Sequence, residues 1–279
     1  MCLYGDIMIF EVVKMLSKQE IQEAREKQVR KANELIQKSH FSLSTQQQKI
    51  ILYLISQISP YDKEFKEYVF NIKDFCEICG LDDKSGGNYT DLKEQIKKIA
   101  DKSSWIEFND DEETLVRWIE KPKIKKNSGI IKLRLDEDLK PYLLQLRANY
   151  TQYDIIYTLS FKSKYSIRLY ELIKSIHYDE ASDYEKTYRL KEFKALLGAD
   201  KYTKFSHFKD RVLETAVNEI NLFSDKFIIY KTKRQGRSIE FITLYIHTKP
   251  IEERLEAGAE AEKRLNHSQL SLFDNMTEK

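Results

Sequence analysis

The stretch FSHFKDRVLETAVNEINL (residues 205–222), followed by FIIYKTKRQGRSIEFITLYIH (residues 227–247), decides how this chain folds. In the first, Phe208, Val212, Ala216 and Ile220 recur at i, i+4, i+8 and i+12, and Leu213 and Val217 widen that face. This spacing predicts one long amphipathic helix. In the second, Phe227–Lys233 and Ser238–His247 read as two strands of a hairpin with Arg234-Gln235-Gly236-Arg237 at its tip. Upstream, Ser163–His177 reads as a helix with Tyr165, Leu169, Leu172 (or Ile173) and Ile176 inward. Thr187–Leu190 reads as a short strand. Lys191–Leu197 is a short helix ended by Gly198, a residue suited to a left-handed C-terminal position. Helix, short strand, helix, helix and two-stranded wing is the order of a winged helix.

The first half follows the same plan. Gln46–Ile58 has helical apolar spacing, with Ser44 or Thr45 as its cap and Pro60 as its stop. Tyr68–Ile72 reads as a strand, Lys73–Cys79 as a helix stopped by Gly80, and Tyr89–Lys102 as a helix with Leu92, Ile96 and Ile99 on one face. Trp105–Phe108, Leu115–Ile119 and Ile130–Leu135 read as strands, with turns at Asn109-Asp110 and Asn127-Ser128-Gly129. The predicted class is α+β: tandem winged-helix domains, helix-rich, with small antiparallel β wings. The predicted units are an N-terminal extension or helix (1–30), a first winged helix (31–150), a second (151–249) and an acidic flexible tail (250–279). The composition changes at Met15, which leaves open a start there, with 1–14 as an upstream extension.

Composition bounds the chemistry. The chain has 279 residues, 41% hydrophobic and 33% charged, with three cysteines. That fits a globular protein of a reducing cytoplasm rather than a disulfide scaffold. The apolar run Met1–Leu16 contains Asp6, Glu11 and Lys14 and is too short to span a bilayer, so no membrane partner is expected. The formal net charge is only +2, which by itself argues against nucleic acid. Partitioned, it argues the reverse. Residues 31–150 carry 20 basic and 20 acidic groups, whereas 186–237 carry 13 basic against 6 acidic, and 250–279 carry 4 against 7.

The basic excess lies on the decisive stretch. Opposite the apolar face of the 205–222 helix stand Lys204, His207, Arg211 and Asn218, with Ser206 and Lys209 near its N-terminal end. Such a helix can enter the major groove, where Arg pairs with guanine and Asn with adenine. The hairpin adds Lys231, Lys233, Arg234 and Arg237, suited to phosphate or minor-groove contact.

These residues also resemble a known family. Lys31-Ala32-Asn33-Glu34-Leu35-Ile36, the Gln46–Ile58 helix, Ser163-Lys164-Tyr165 through Tyr170-Glu171-Leu172, and Phe208-Lys209-Asp210-Arg211-Val212-Leu213 through Glu219-Ile220-Asn221 are similar to the iteron-binding plasmid replication initiators. The resemblance covers roughly 31–249. It implies two winged-helix domains, binding to direct repeats at a plasmid origin, and a monomer–dimer equilibrium in which the dimer represses its own gene. It also implies that the third helix of the second domain makes the main base contacts, a role that Lys204, His207, Lys209 and Arg211 inherit. The first domain is expected to supply accessory DNA contacts and much of a dimer interface.

The tail carries a second signal. Gln269-Leu270-Ser271-Leu272-Phe273 matches the pentapeptide by which bacterial proteins dock on the sliding clamp of the replicative polymerase. An extended peptide can seat Leu272 and Phe273 in an apolar pocket while Gln269 hydrogen-bonds nearby. An initiator would also meet the host initiator and helicase. A winged-helix transcription regulator is the alternative, distinguished by a single palindrome in place of tandem repeats.

Other chemistries lack their residues. Cys76-Glu77-Ile78-Cys79 is one pair, half of a tetrahedral zinc site, and reads as small apolar residues on a helix. The five histidines are scattered, with no His-hydrophobe-His pair for a metal-dependent nicking tyrosine, although seventeen tyrosines leave a nickase formally open. No phosphate-binding loop is present, since Gly86-Gly87 is followed by Asn88. No enzyme activity, metal or cofactor is expected.

Overall fold

The computed structural model describes residues 15–38, 43–81, 88–109, 112–125, 128–176 and 183–273. The N-terminal segment carries a helix, and residues 18–32 are built into the body. Helix α1 (Lys18–Arg25) opens on a capping box, in which the Ser17 hydroxyl accepts from the Glu20 amide and the Glu20 carboxylate from the Ser17 amide. Its Ile21, Ala24 and Arg25 are buried. Strand β1 (Gln28–Ala32) leads into α2 (Asn33–Lys38) and pairs antiparallel with a distant strand, Tyr150–Asp154. Residues 1–14 lie outside the described residues, as does part of each predicted turn at 109–110 and 127–129.

The first winged helix comprises α3 (Thr45–Ser56), β2 (Tyr68–Asn71), α4 (Ile72–Cys79), α5 (Asn88–Ala100), β3 (Ser103–Asn109), β4 (Glu112–Arg117), β5 (Ile119–Lys125) and β6 (Ile130–Leu135). From Lys49 to Ser56 every residue of α3 is buried, because the run is apolar all round and sits at the centre of the domain. The sheet order is β2-β6-β5, and β3 and β4 form a separate hairpin. Strand β5 is missing from the sequence reading. Its Pro122 would exclude a central strand, but β5 is an edge, and a bulge between Glu120 and Lys123 takes up the irregularity. Cys76 and Cys79 are buried, and burial pushes the Cys79 thiol far above its ordinary pKa.

A short helix α6 (Lys140–Leu143), β7 (Tyr150–Asp154) and α7 (Ile155–Ser160) lead to the second winged helix. It runs α8 (Lys164–Ser175), β8 (Tyr184–Arg189), α9 (Leu190–Leu196), α10 (Phe205–Phe208), a π-helical turn (Lys209–Leu213), α11 (Glu214–Phe223), β9 (Lys226–Gln235) and β10 (Ser238–Thr248). Its sheet order, β8-β10-β9, repeats β2-β6-β5: the strand after the first helix lies beside the last strand of the wing. The internal duplication that is faint in letters is plain in topology.

The division at 150/151 falls on β7, which pairs with β1 rather than with either winged-helix sheet. Around it, buried polar groups join the two halves. Lys31 on β1 meets Glu171 on α8 at 2.8 Å, and the Tyr153 hydroxyl donates to the same carboxylate at 2.5 Å. Burial lowers the Lys31 pKa, against the pull of Glu171. Within the second domain Lys174 and the Tyr170 hydroxyl share Asp225, at 3.1 and 2.7 Å.

The segment after Pro250 corrects the expectation of a flexible tail. Residues Ile251–Phe273 form helix α12, packed on α7 and α11. Ala257, Ala261 and Leu265 are buried at i, i+4 and i+8. Small residues let the helix approach closely, a pattern that an Ala/Glu-rich composition conceals. Arg25 on α1 is 1% exposed and donates to Glu262 (2.8 Å), Asn266 (2.9 Å) and the carbonyls of Glu77 and Ile78. Arg264 pairs with Glu219 on α11 at 2.7 Å. The last helix therefore ties both domains together. No helix among the described residues is long and apolar enough to cross a membrane.

Candidate nucleic-acid interface

The apolar face predicted for residues 205–222 is buried: Phe208, Val212, Ala216 and Ile220 are each 0% exposed. That burial orients the opposite face outward. Lys204, Ser206, His207, Arg211 and Asn218 are exposed, and Lys209 is half-buried near Glu214 at 3.7 Å. The helix is not uniform. Residues Lys209–Leu213 form a π turn, wider than an α turn, in which Val212 and Leu213 are buried and Asp210 and Arg211 are exposed. No periodicity in the sequence announces such a turn.

The wing is a hairpin of β9 and β10 closed by Gly236-Arg237. Gly236 has φ 63°, and positive φ at the first of two central residues is the II′ geometry that suits the twist of a hairpin. Lys231, Lys233, Arg234 and Arg237 are exposed along this arm. Lys231 stands over the Tyr245 ring at 5.2 Å. Among the described residues, the side chains of Lys204, His207, Arg211, Lys233, Arg234 and Arg237 make no ion pair or hydrogen bond with the protein. The Tyr230 hydroxyl donates to Glu214 at 2.5 Å, and Asn221 exchanges two hydrogen bonds with the Ile228 backbone, at 2.7 and 2.9 Å. These contacts fix the wing to the helix, so the predicted DNA-facing residues stand on one rigid unit.

The residues that carry the family resemblance are for the most part braces of this unit. Lys31 and Glu171 form the buried pair between the halves. Glu219 accepts from the Lys162 and Ser163 amides, the Ser166 hydroxyl and Arg264, which closes the start of α8. Two further lysines were not singled out for DNA: Lys201 precedes α10, and Lys164, quoted only for the resemblance, opens α8. Lys164 stands over the Tyr165 ring at 5.0 Å and Lys201 over Tyr202 at 5.2 Å. Single lysines outside a periodic pattern give no signal in a lysine-rich chain. The five residues Gln269–Phe273 end α12, and their side chains lie outside the described residues.

Fold and face together define a tandem winged-helix protein with one exposed basic helix-and-wing surface. The chain belongs to the family of initiator replication proteins: residues 28–174 match the model described as "Initiator Replication protein, WH1", and residues 189–246 match "Initiator Rep protein, WH2". A curated replication initiation protein of Escherichia coli is 29% identical over 120 residues, 42% of this chain and 38% of the relative. The chain thus matches about two fifths of that relative's length. The crystal structure of Pi initiator protein in complex with iteron DNA has a TM-score of 0.65 at 21% identity, covering 81% of this chain and 98% of the other. At that identity the likeness establishes the fold.

Proposed function

We propose that this chain initiates plasmid replication by binding tandem direct repeats (iterons) in duplex DNA at the origin. The observation that carries the reading is the set of exposed, unpaired cations on the helix and wing, held in one orientation by a buried scaffold. Arg211 and Asn218 are the candidates for base-edge recognition, with Lys204, Ser206, His207 and Lys209 near the helix start. Lys231, Lys233, Arg234 and Arg237 take backbone phosphates. Several bound copies would bend the DNA and help open an adjacent A·T-rich segment. The activity is non-enzymatic and belongs in the cytoplasm, with a monomer–dimer equilibrium and repression of its own gene by the dimer.

We further propose that Gln269-Leu270-Ser271-Leu272-Phe273 docks on the polymerase sliding clamp, and that host initiator and helicase are recruited beside it. Because α12 is helical through Phe273, docking as an extended strand requires its last turns to unwind. Mobility-shift titration on the DNA flanking the gene tests the main reading. Stepwise retarded species on tandem repeats, resistant to random competitor, are expected; a single species on a lone palindrome would favour an ordinary transcription regulator. For the clamp, Leu272→Ala with Phe273→Ala should abolish capture by purified clamp and leave repeat binding intact. Equal capture of wild type and variant would refute it.

A further inference from the structure

The seam between the winged-helix domains collects positive charge from three separate parts of the chain. Lys102 follows the last turn of α5, Lys164 opens α8 and Lys201 precedes α10. Structure holds them together through their neighbours. The Lys102 ammonium donates to Gln47 at 2.9 Å, on the first turn of α3. That turn is fastened to the start of α8: the Thr45 hydroxyl donates to the Lys162 carbonyl at 3.2 Å and the Gln48 amide to the Lys164 carbonyl at 3.5 Å. On the other side, the Tyr165 and Tyr202 rings meet edge-on at 6.1 Å, with Lys164 over the first and Lys201 over the second. The result is a ladder from one domain's third helix to the other's.

The charges that bear most on Lys164 are Lys201 and Lys102, both positive. Partial burial, followed by this repulsion, lowers the Lys164 pKa; burial and Lys98 lower that of Lys102. Gathering like charges at a half-buried seam costs free energy in the isolated protein and is recovered when a polyanion lies across it. Lys201 is three residues from Lys204, so the seam continues directly into the face that the base-reading helix presents.

We propose that Lys102, Lys164 and Lys201 form a phosphate-binding seam that grips the duplex backbone between the two winged-helix domains. This rests on the DNA-binding reading above and adds to it a site contributed by both domains. The seam positions the DNA and reads no bases, so it sets how both domains lie along one duplex.

The test is the salt dependence of binding to duplex repeats and to random duplex. Replacing all three lysines by Gln should flatten the slope of log K against log salt by about 2.7, at about 0.9 per phosphate released, on both DNAs. The ratio of repeat to random affinity should stay within about twofold, because phosphate contacts are blind to sequence. The triple Lys→Arg variant should restore the slope. The exposed Lys201→Gln, read alone, should give about 0.9 even if the triple variant fails to fold. An unchanged slope in a folded variant overturns the seam, and so does a loss confined to repeat DNA. The primary reading fails separately, if wild type itself shows no preference for repeats.

Discussion

The two winged helices share a strand order and differ in what their charges do. In the first, several cations of the wing stand beside carboxylates. Lys123 and Lys132 both meet Glu67, at 3.0 and 3.4 Å, and Arg134 bridges Glu120 and Glu137. In the second, Lys233, Arg234 and Arg237 reach into solvent with no carboxylate beside them among the described residues. Equal numbers of basic groups would therefore not mean equal affinity for a polyanion. A lysine already paired must surrender its partner before it can take a phosphate. The duplicated fold thus carries cations paired with carboxylates on one wing and cations open to solvent on the other.

The largest effect should come from breaking the joint that makes the two copies one body. Lys31→Ala leaves the Glu171 charge buried without its partner and should cost about 3–5 kcal/mol. Chemical denaturation followed separately in each domain checks it; a loss confined to the first domain would show that the copies are stable independently. Next, Arg211→Ala should weaken binding to the repeats by about 1–3 kcal/mol and narrow the gap to random DNA. A comparable change on the exposed face of α5, Lys97→Ala, should leave that gap intact. If both changes narrow it equally, the copies share the reading of bases.

A smaller contrast separates the wings. Neutralising Lys233 and Arg234 should lower the salt slope by about 0.9 each, while Lys123→Gln on the paired wing should leave it unchanged. Equal slopes would erase the distinction drawn above. The smallest effect concerns acid. The Lys123, Lys140 and Lys66 partners hold the carboxyls of Glu67, Glu137 and Asp62 below their ordinary range. Depressed carboxyls stabilise the folded form above their unfolded pKa, near about 4, and that contribution disappears as pH falls through the folded values. Hydrogen exchange at descending pH should therefore loosen the β2-β6-β5 sheet before β8-β10-β9. The reverse order would contradict the role given to the pairs.

What could be read in the sequence was whatever repeats locally. Phe208, Val212, Ala216 and Ile220 marked one helix face, and alternation with a glycine tip marked the wing, so the exposed candidates followed by elimination. What could not be read depends on remote partners or on weak letters. Strand β1, Gln-Val-Arg-Lys-Ala, is short and half polar, and its partner is more than a hundred residues away. Helix α12 buries alanines, which carry little hydrophobic signal. Strand β5 contains a proline that reads as a stop. Lys102 and Lys201 are ordinary surface letters, and Lys164 enters only through the resemblance, until the fold brings their neighbours together.

Arg25 and Glu219 acquire a further meaning when the order of synthesis is considered. Both are made before residues 262–266, and each takes a further hydrogen-bonded or charged partner from α12. Before those residues exist, Arg25 can reach only the Glu77 and Ile78 carbonyls, and Glu219 only the Lys162 and Ser163 amides and the Ser166 hydroxyl. Loss of the chain from residue 262 onward would leave Arg25 and Glu219 without the partners that α12 supplies, with only the local hydrogen bonds at each end of the joint.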